Sequence, residues 1–208
     1  MKSRDALPLF EAKNLTLHRG KKRIWENGHW TIQGYTTILG SNGSGKSSTL
    51  ALLAGQIAPD AGELSFHCQN AAVTPEQWMT HVVLSAPWAS VPTHLTLTQI
   101  LSFHSTFRAS REDALGWASL LESSGLDVSP NAPMHTWSSG QKQRLHLSLA
   151  LGTHSPVVLL DEPSSNLDAS GVDWLHSAMT KITGLSTLIV ATNDPAKEAP
   201  GATGTLQL

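Results

Sequence analysis

The stretch "GSNGSGKSS", residues 40–48, is the most specific local pattern in this chain of 208 residues. It matches the phosphate-binding pattern G-x-x-x-x-G-K-[ST], which is informative when it lies between a strand and a helix. The preceding "WTIQGYTTIL" (30–39) predicts a strand, and the following "SSTLALLAG" (47–55) predicts a helix with leucines on one side. The context is therefore the one in which such a loop binds the phosphates of a nucleotide.

The residue types in this phosphate loop explain how it would bind. Glycines let the backbone bend tightly and bring its N–H groups to phosphate oxygens, and the start of the following helix favours anions. We expect Lys46 to reach the β- and γ-phosphates and Ser47 to give its hydroxyl to Mg²⁺. The predicted nucleotide-binding residues of the loop are Gly40, Ser41, Asn42, Gly43, Ser44, Gly45, Lys46, Ser47 and Ser48.

A second stretch, "SPVVLLDEPSSNLD" (155–168), brings two carboxylates to the end of an apolar run. A short run of this kind predicts a strand buried on both faces of a parallel sheet. Its end would lie at the edge where open α/β folds bind ligands. We expect Asp161 to share the Mg²⁺ ion with Ser47, and Glu162 to orient or deprotonate the attacking water.

A third apolar run, "LIVATNDP" (188–195), ends in Asn193 and Asp194. An asparagine donates and accepts hydrogen bonds but does not take up a proton. At the end of a buried strand, Asn193 is therefore suited to contact a ligand without exchanging a proton. The alternative is that Asn-Asp-Pro only forms a turn.

Upstream of the carboxylates lies "TWSSGQKQRLHLSLALG" (136–152). With the two elements above, it resembles the signature motif of the ATP-binding subunit of ABC transporters, and "SSNLD" (164–168) resembles the D-loop of that family. The serines at the start of this helix are suited to cap it and to leave a second anion site. The signature residues counted as nucleotide-binding are Ser138, Ser139, Gly140 and Gln141.

The resemblance covers essentially the whole chain and implies one α/β nucleotide-binding domain over 1–208. It implies a P-loop NTPase core sheet, an N-terminal antiparallel β part at roughly 8–38 and an inserted helical subdomain at roughly 86–150. It further implies hydrolysis of ATP with Mg²⁺ as the cofactor. Two copies, or two homologous domains, would face each other head to tail and dock on an integral-membrane transporter subunit.

A narrower resemblance is carried by the small size of the chain and by "LHRGKKRIW" (17–25). Both are similar to the haem-exporter ATPases of cytochrome c maturation.

The sequence departs from the family pattern at four positions. Ala86 stands where a glutamine usually contacts Mg²⁺ and the attacking water, and Asn193 stands where a histidine is usual. The resemblance thus implies that Asn193 belongs with Glu162 to the catalytic residues, as a positional contact to the γ-phosphate. Ser139 replaces the first signature glycine, and in place of an adenine-stacking aromatic the sequence offers Arg19, which is either stacking or simply exposed. These departures predict a slow ATPase. A soluble ABC ATPase, or a nucleotide-gated switch with little turnover, remains the alternative.

Composition sets the broad class. The net charge of −2 and pI of about 6.5 give no reason to expect nucleic acid as a partner. Cys68 is the only cysteine, which fits a reducing compartment, and the sequence has no apolar run of the ~18 residues that span a bilayer. We expect a cytoplasmic protein that lies peripherally on the inner face of the plasma membrane.

The ten histidines are scattered, without the spacing of a metal site.

One candidate docking surface follows the strand near residue 85. Trp88, Val91, Leu95 and Leu97 would either form an apolar groove for a helix of the membrane subunit or pack the helical subdomain. The sequence does not decide between these two roles.

Overall fold

The computed structural model describes residues 7–87 and 92–208, so Trp88 and Val91 of the predicted docking surface lie outside the described residues. In chain order the strands and helices are β1 (Leu9–Arg19), β2 (Lys22–Gln33), β3 (Tyr35–Leu39), α1 (Lys46–Leu53), β4 (Ala61–Cys68), β5 (Ala71–Ala72), α2 (Pro75–His81), β6 (Val82–Ser85), α3 (Leu97–Phe107), α4 (Trp117–Ser123), α5 (Ser139–Gly152), β7 (Val157–Asp161), α6 (Ala169–Ile182), β8 (Thr187–Thr192), α7 (Pro195–Glu198) and β9 (Gly204–Gln207).

The chain forms two compact units. The first, called here the sheet unit, comprises the described residues up to 84 together with 155–162 and 183–208. The second, the helical unit, comprises the described residues of 85–154 together with 163–182. The helical unit therefore contains α6 as well as the region from 86 to 150 that the sequence assigned to it.

The sheet unit contains an antiparallel sheet of order β2-β1-β4-β5 and a second sheet of order β6-β7-β8-β3-β9. In the second sheet β7, β8, β3 and β9 pair in parallel, with Leu39 opposite Thr192 and Asp161 opposite Ala191. Strand β7 is buried along its whole length, as its apolar sequence predicted. The mixed α/β architecture with a parallel core sheet is confirmed.

The predicted single strand over 30–39 is wrong, because the chain changes sheets inside it. Strand β2 ends at Gln33 in the antiparallel sheet, and β3 begins at Tyr35 in the parallel sheet. Between them Gly34 has a φ of 71°, a left-handed conformation that glycine adopts without strain. The antiparallel part consequently ends at residue 33 rather than 38 and resumes at β4 and β5.

The sheet unit is held together by an apolar core between its sheets. Phe10 and Phe66 stack with ring centroids 4.6 Å apart, and both rings pack near the indole of Trp78. The same cluster includes Leu50 and Leu53 of α1, which are fully buried. Burial of these two leucines holds α1 in place, which in turn positions the phosphate loop at its N-terminus.

The helical unit has its own core. Its buried members are Ile100, Trp117, Leu121, Met134, Trp137, Leu145 and Leu149. The sequence left two roles open for Leu95 and Leu97: docking of a membrane-subunit helix, or packing of the helical subdomain. Both residues are partly buried against this cluster. In this structure they therefore pack the helical unit. Within the described residues, we find no helix that combines the length and apolarity needed to cross a bilayer.

Candidate functional site

Three strand ends of the parallel sheet carry the predicted site residues of the sheet unit. The backbone N–H of Gly40 donates to the Thr192 carbonyl at 3.4 Å, and that of Glu162 donates to the Ala191 carbonyl at 2.9 Å. These bonds connect the phosphate loop after β3, the acidic segment after β7 and the polar segment after β8. The carboxyl ends of parallel strands meet at one edge of a sheet, which is where α/β folds bind their ligands.

Lys46 is the most enclosed polar residue of the phosphate loop, with 5% of its surface exposed. Its Nζ donates to the carbonyl oxygens of Gly40 at 2.9 Å and Ser41 at 3.2 Å. Nζ also lies 3.7 Å from Oε1 of Glu162. The lysine thus places one positive charge between the loop backbone and the carboxylate that follows β7.

A cavity of about 270 Å³ opens beside the loop, lined by Asn42, Gly43, Gly45, Lys46, Ser47, Ser48 and Glu162. The Ser44 hydroxyl nearby is buried and has no hydrogen-bond partner among the described residues. Six of the nine loop residues predicted from the sequence therefore line one cavity together with Glu162, whereas Gly40, Ser41 and Ser44 are not part of its lining. Its polar lining, with one lysine and the start of α1, suits an anionic ligand.

Strand β2 lies against the phosphate loop and explains one of its glycines. Gly45 has a φ of 122°, and a Cβ placed on it would lie 2.5 Å from Cγ2 of Ile24. Gly43 also has a positive φ, 75°, but a Cβ there would meet nothing within 4 Å. Gly45 is therefore required both by its backbone conformation and by contact with β2, whereas Gly43 is required by conformation alone.

The two carboxylates differ in their surroundings. Asp161 is the last residue of β7 and is 5% exposed. The side chain of Glu162 is 38% exposed and lines the cavity. Glu162 has a φ of 44°, a left-handed conformation that is uncommon for a residue with a side chain. Such backbone conformations are concentrated at functional sites, where surrounding structure holds them.

Asn193 reaches the phosphate loop. Its Nδ2 donates to Oδ1 of Asn42 at 3.2 Å. The turn that follows is formed by its neighbours: the Asp194 N–H donates to Oγ1 of Thr192 at 2.9 Å, and Oδ1 of Asp194 accepts from the N–H of Lys197 at 3.2 Å, which caps α7. Asn193 is thus available for a contact at the cavity, while Asp194 supplies the turn.

The signature residues lie in the helical unit, at the start of α5. Ser138 is the N-cap: its Oγ accepts from the N–H of Gln141 at 3.1 Å, and Oε1 of Gln141 accepts from the N–H of Ser138 at 2.8 Å. This reciprocal arrangement satisfies two backbone donors at the helix end. Ser138 and Ser139 are exposed. A Cβ on Gly140 would lie 2.9 Å from the Asn166 carbonyl, so glycine is needed for the approach of the 164–168 segment.

The structure shows the surroundings of two residues that depart from the family pattern, Ala86 and Arg19. Ala86 is 3% exposed, directly after β6. Arg19 is exposed, and its Nη1 donates to the carbonyl of its neighbour His18 at 3.3 Å. The described residues contain no cluster of three His, Cys, Asp or Glu side chains that is able to hold a metal ion.

Lys22 contacts the phosphate loop, a contact that sequence analysis did not predict. Its Nζ donates to the carbonyl oxygen of Gly43 in the phosphate loop. The two residues are 21 positions apart, and nothing in the local pattern of the β1–β2 hairpin indicates the contact.

Comparison with protein families matches the ABC transporter model to residues 31–165, more than half of the chain. The chain belongs to the ABC transporter family. The family prediction from the sequence is confirmed, and with it the class of enzyme, an ABC-type ATPase that binds nucleotide.

Relatives and solved structures agree with this assignment. The cytochrome c biogenesis ATP-binding export protein CcmA of Paramagnetospirillum magneticum is 29% identical over 197 residues, covering 93% of this chain and 91% of that protein. Two solved structures share the fold of this ABC family chain. The dimeric structure of MJ0796, a bacterial ABC transporter cassette, has a TM-score of 0.77 at 19% identity and covers 95% of this chain and 94% of that one. A bacterial Atm1-family ABC exporter with ATP bound has a TM-score of 0.78 at 18% identity and covers 97% of this chain and 37% of that one.

Proposed function

We propose that this chain binds ATP with Mg²⁺ in the cavity beside the phosphate loop and that Glu162 supports hydrolysis of the γ-phosphate. The observation that carries the proposal is the meeting of three elements at one sheet edge: Lys46 lies 3.7 Å from Glu162, and Asn193 donates to Asn42. Lys46 supplies a cation that would bind phosphate, Glu162 supplies a carboxylate that would bind the attacking water, and Asn193 supplies a neutral amide that would contact the γ-phosphate. Each is of the type that phosphoryl transfer uses.

Ser47 and Asp161 are the proposed protein ligands of Mg²⁺. They offer a hydroxyl and a carboxylate, the hard oxygen donors that Mg²⁺ prefers, and few protein ligands suffice because Mg²⁺ keeps waters and phosphate oxygens in its shell. This donor set fits Mg²⁺. When bound, the ion would neutralise charge on the phosphates.

Glu162 is the proposed base or water-orienting residue. Its side chain is more exposed than that of Asp161 and lines the cavity, so it is accessible to a water there. Lys46 Nζ lies 3.7 Å from Oε1 of Glu162, within ion-pair distance. Asn193 would position the γ-phosphate through its amide and Ala86 would contribute no polar contact. Turnover is therefore expected to be slow.

The signature residues are proposed to act on a second copy. Ser138 and Ser139 are exposed at the start of α5, where backbone N–H groups attract anions. The resemblance to ABC subunits implies that this motif covers the γ-phosphate held by the opposite copy. A solved cassette with the same fold is dimeric, which supports a dimer as the working form; its head-to-tail arrangement is what the resemblance implies.

We also propose a peripheral position on an integral-membrane transporter subunit, at the cytoplasmic face of the plasma membrane. The support is the similarity to CcmA, which is named as an export protein, and the shared fold with an ABC exporter.

Replacement of Glu162 by Gln tests the catalytic role. We expect E162Q to retain ATP binding in calorimetric titration and to lose at least 10²-fold in ATP turnover, the order of magnitude that a general base contributes. Glu63→Gln is the matched control, since Glu63 is exposed on β4 and outside the cavity. Equal rates for E162Q and the wild type would refute the assignment of Glu162.

Affinity purification of E162Q from detergent-solubilised native membranes, with ATP present, tests the partner. A slowed dimer should remain on its membrane subunit, so a stoichiometric polytopic protein is expected to co-purify. Recovery only from the soluble fraction, alone or with ribosomes or nucleic acid, would reject the transporter assignment.

A nucleotide-gated switch is the second candidate function. Asn193 and Ala86 are the specific observations that favour it, because neither side chain supplies the group that the family pattern has at that position. The hydrolysis rate separates the two: a switch would bind ATP and change its oligomeric state with almost no turnover by the wild type.

A further inference from the structure

The hairpin between β1 and β2 concentrates positive charge next to the phosphate loop. Four exposed cations fall within five residues: Arg19, Lys21, Lys22 and Arg23. Arg23 pairs with Glu26, and Arg19 donates to the carbonyl of His18. In the described part of the chain, Lys21 forms no hydrogen bond or ion pair. Lys22 alone of the four contacts the nucleotide cavity, through the carbonyl oxygen of Gly43.

The contact falls on the peptide group between Gly43 and Ser44. Gly43 has a left-handed φ of 75°, and the space where its side chain would be is open. The next peptide N–H, of Ser44, donates to the Ser41 carbonyl at 3.0 Å. Because the peptide group between Gly43 and Ser44 is planar and rigid, a cation on its carbonyl also fixes the direction of its N–H. Lys22 and the Ser41–Ser44 turn therefore hold the same peptide group at both ends.

Two effects on a bound polyphosphate follow from this arrangement. A loop already ordered loses less conformational entropy on binding, which raises affinity. The Lys22 ammonium also places a second positive charge beside Gly43, a residue that lines the same cavity as Lys46. Since Lys22 is exposed, this second attraction is screened by salt.

We propose that Lys22 is a positioning residue that sets the affinity of the phosphate loop for nucleoside di- and triphosphates. It acts through the Gly43 carbonyl and leaves the hydrolysis step to Glu162. The proposal goes beyond the function proposed above, because it concerns how tightly the nucleotide is held and not whether it is hydrolysed, nor which protein partner is present.

The test compares K22Q with K21Q, which removes the same charge from the neighbouring position. Dissociation constants for ATP and ADP are measured by titration calorimetry on the full chain at low and high salt. We expect K22Q to weaken both ligands by roughly fivefold, the effect of one lost charge-assisted bond at an exposed site. K21Q should change them by less than about twofold. In steady-state assays the KM of K22Q should rise while kcat changes little.

K22R provides the rescue, since arginine keeps the charge and can donate to the same carbonyl; it should recover most of the affinity lost in K22Q. Unchanged affinity in K22Q, or equal losses in K21Q and K22Q, would overturn the proposal. A fall in kcat without a change in KM would also overturn it. None of these outcomes would affect the role of Glu162, which is read from the turnover of E162Q.

Discussion

The side-chain amide of Asn193 donates a 3.2 Å hydrogen bond to the side-chain oxygen of Asn42. Asn193 follows β8 and Asn42 lies in the phosphate loop, so the end of one strand is connected to the loop after another. Both groups are neutral amides that do not titrate in the physiological range. The proposed role of Asn193 is therefore to position the γ-phosphate without taking up or releasing a proton.

Asn193→Ala should lower ATP turnover by less than tenfold. The variant removes one exposed, neutral hydrogen bond, and such bonds are worth about 0.5–1.5 kcal/mol. The measurement is steady-state phosphate release at saturating ATP, beside E162Q. A loss as large as that of E162Q would show that the amide does more than position the phosphate.

Gly45→Ala should remove nucleotide binding. An added Cβ at a φ of 122° would meet Cγ2 of Ile24 at 2.5 Å, so the loop or β2 has to move. Backbone strain with overpacking of this kind costs about 2–4 kcal/mol. Titration with ATP checks binding, and urea unfolding of the nucleotide-free protein checks stability.

Gly43→Ala is the matched control for Gly45→Ala. Its φ of 75° is strained for alanine, but its Cβ would meet nothing within 4 Å. We expect a loss of only about 1 kcal/mol in unfolding free energy. Ile24→Ala combined with Gly45→Ala should restore part of the stability, since it removes the clashing atoms. Equal effects of the two glycine variants would contradict the role given to β2.

The features that could be predicted from the sequence are those encoded by short patterns. The phosphate loop, the buried strand before Asp161 and the cap at Ser138 each combine a periodic run with a specific residue at its end. Family resemblance then supplied the order of the elements. The phosphate loop and Asp161 lie at the same sheet edge because the strands that lead to them, β3 and β7, both pair in parallel with β8.

The features that could not be predicted depend on contacts between distant parts of the chain. Lys22 is one of several cations in its hairpin, and only the fold shows that it reaches Gly43. The change of sheet at Gly34 was missed because both flanking runs are apolar enough to read as one strand. The Asn193–Asn42 contact spans 151 positions, so no local signal reports it.

Ser138→Ala should destabilise the helical unit by about 1 kcal/mol, the usual cost of losing an N-cap hydroxyl. The Oγ of Ser138 accepts from the N–H of Gln141 at 3.1 Å, and alanine would leave that donor to water. Chemical unfolding of the nucleotide-free protein is the measurement. Ser139→Ala is the control, because Ser139 is the next, exposed residue and does not cap α5. A larger loss in Ser139→Ala than in Ser138→Ala would contradict the assignment of the cap.

Acidic pH should lower the stability of the helical unit, because His104 is partly buried in its neutral form. Its Nε2 lies 3.1 Å from Oγ1 of Thr153, and its ring packs edge-on against Trp117 with centroids 4.9 Å apart. Burial, with a smaller contribution from the charge of Arg108, lowers the pKa of His104 below its ordinary 6.5. The unfolded chain thus binds this proton more tightly, and stability rises with pH across the window between the folded-state pKa and 6.5. Burial also lowers the pKa of His146, which adds to the same trend.

The free energy of unfolding, measured by urea titration at several pH values, should therefore fall as the pH decreases through 6.5 and the folded-state pKa of His104. His104→Gln keeps a side-chain donor for Thr153 but has no proton to gain, so its unfolding free energy should depend less on pH over that window. His135→Gln, at an exposed position, serves as the control and should follow the wild-type curve. If His104→Gln retained the full acid sensitivity of the wild type, protonation of His104 would not be a source of the effect.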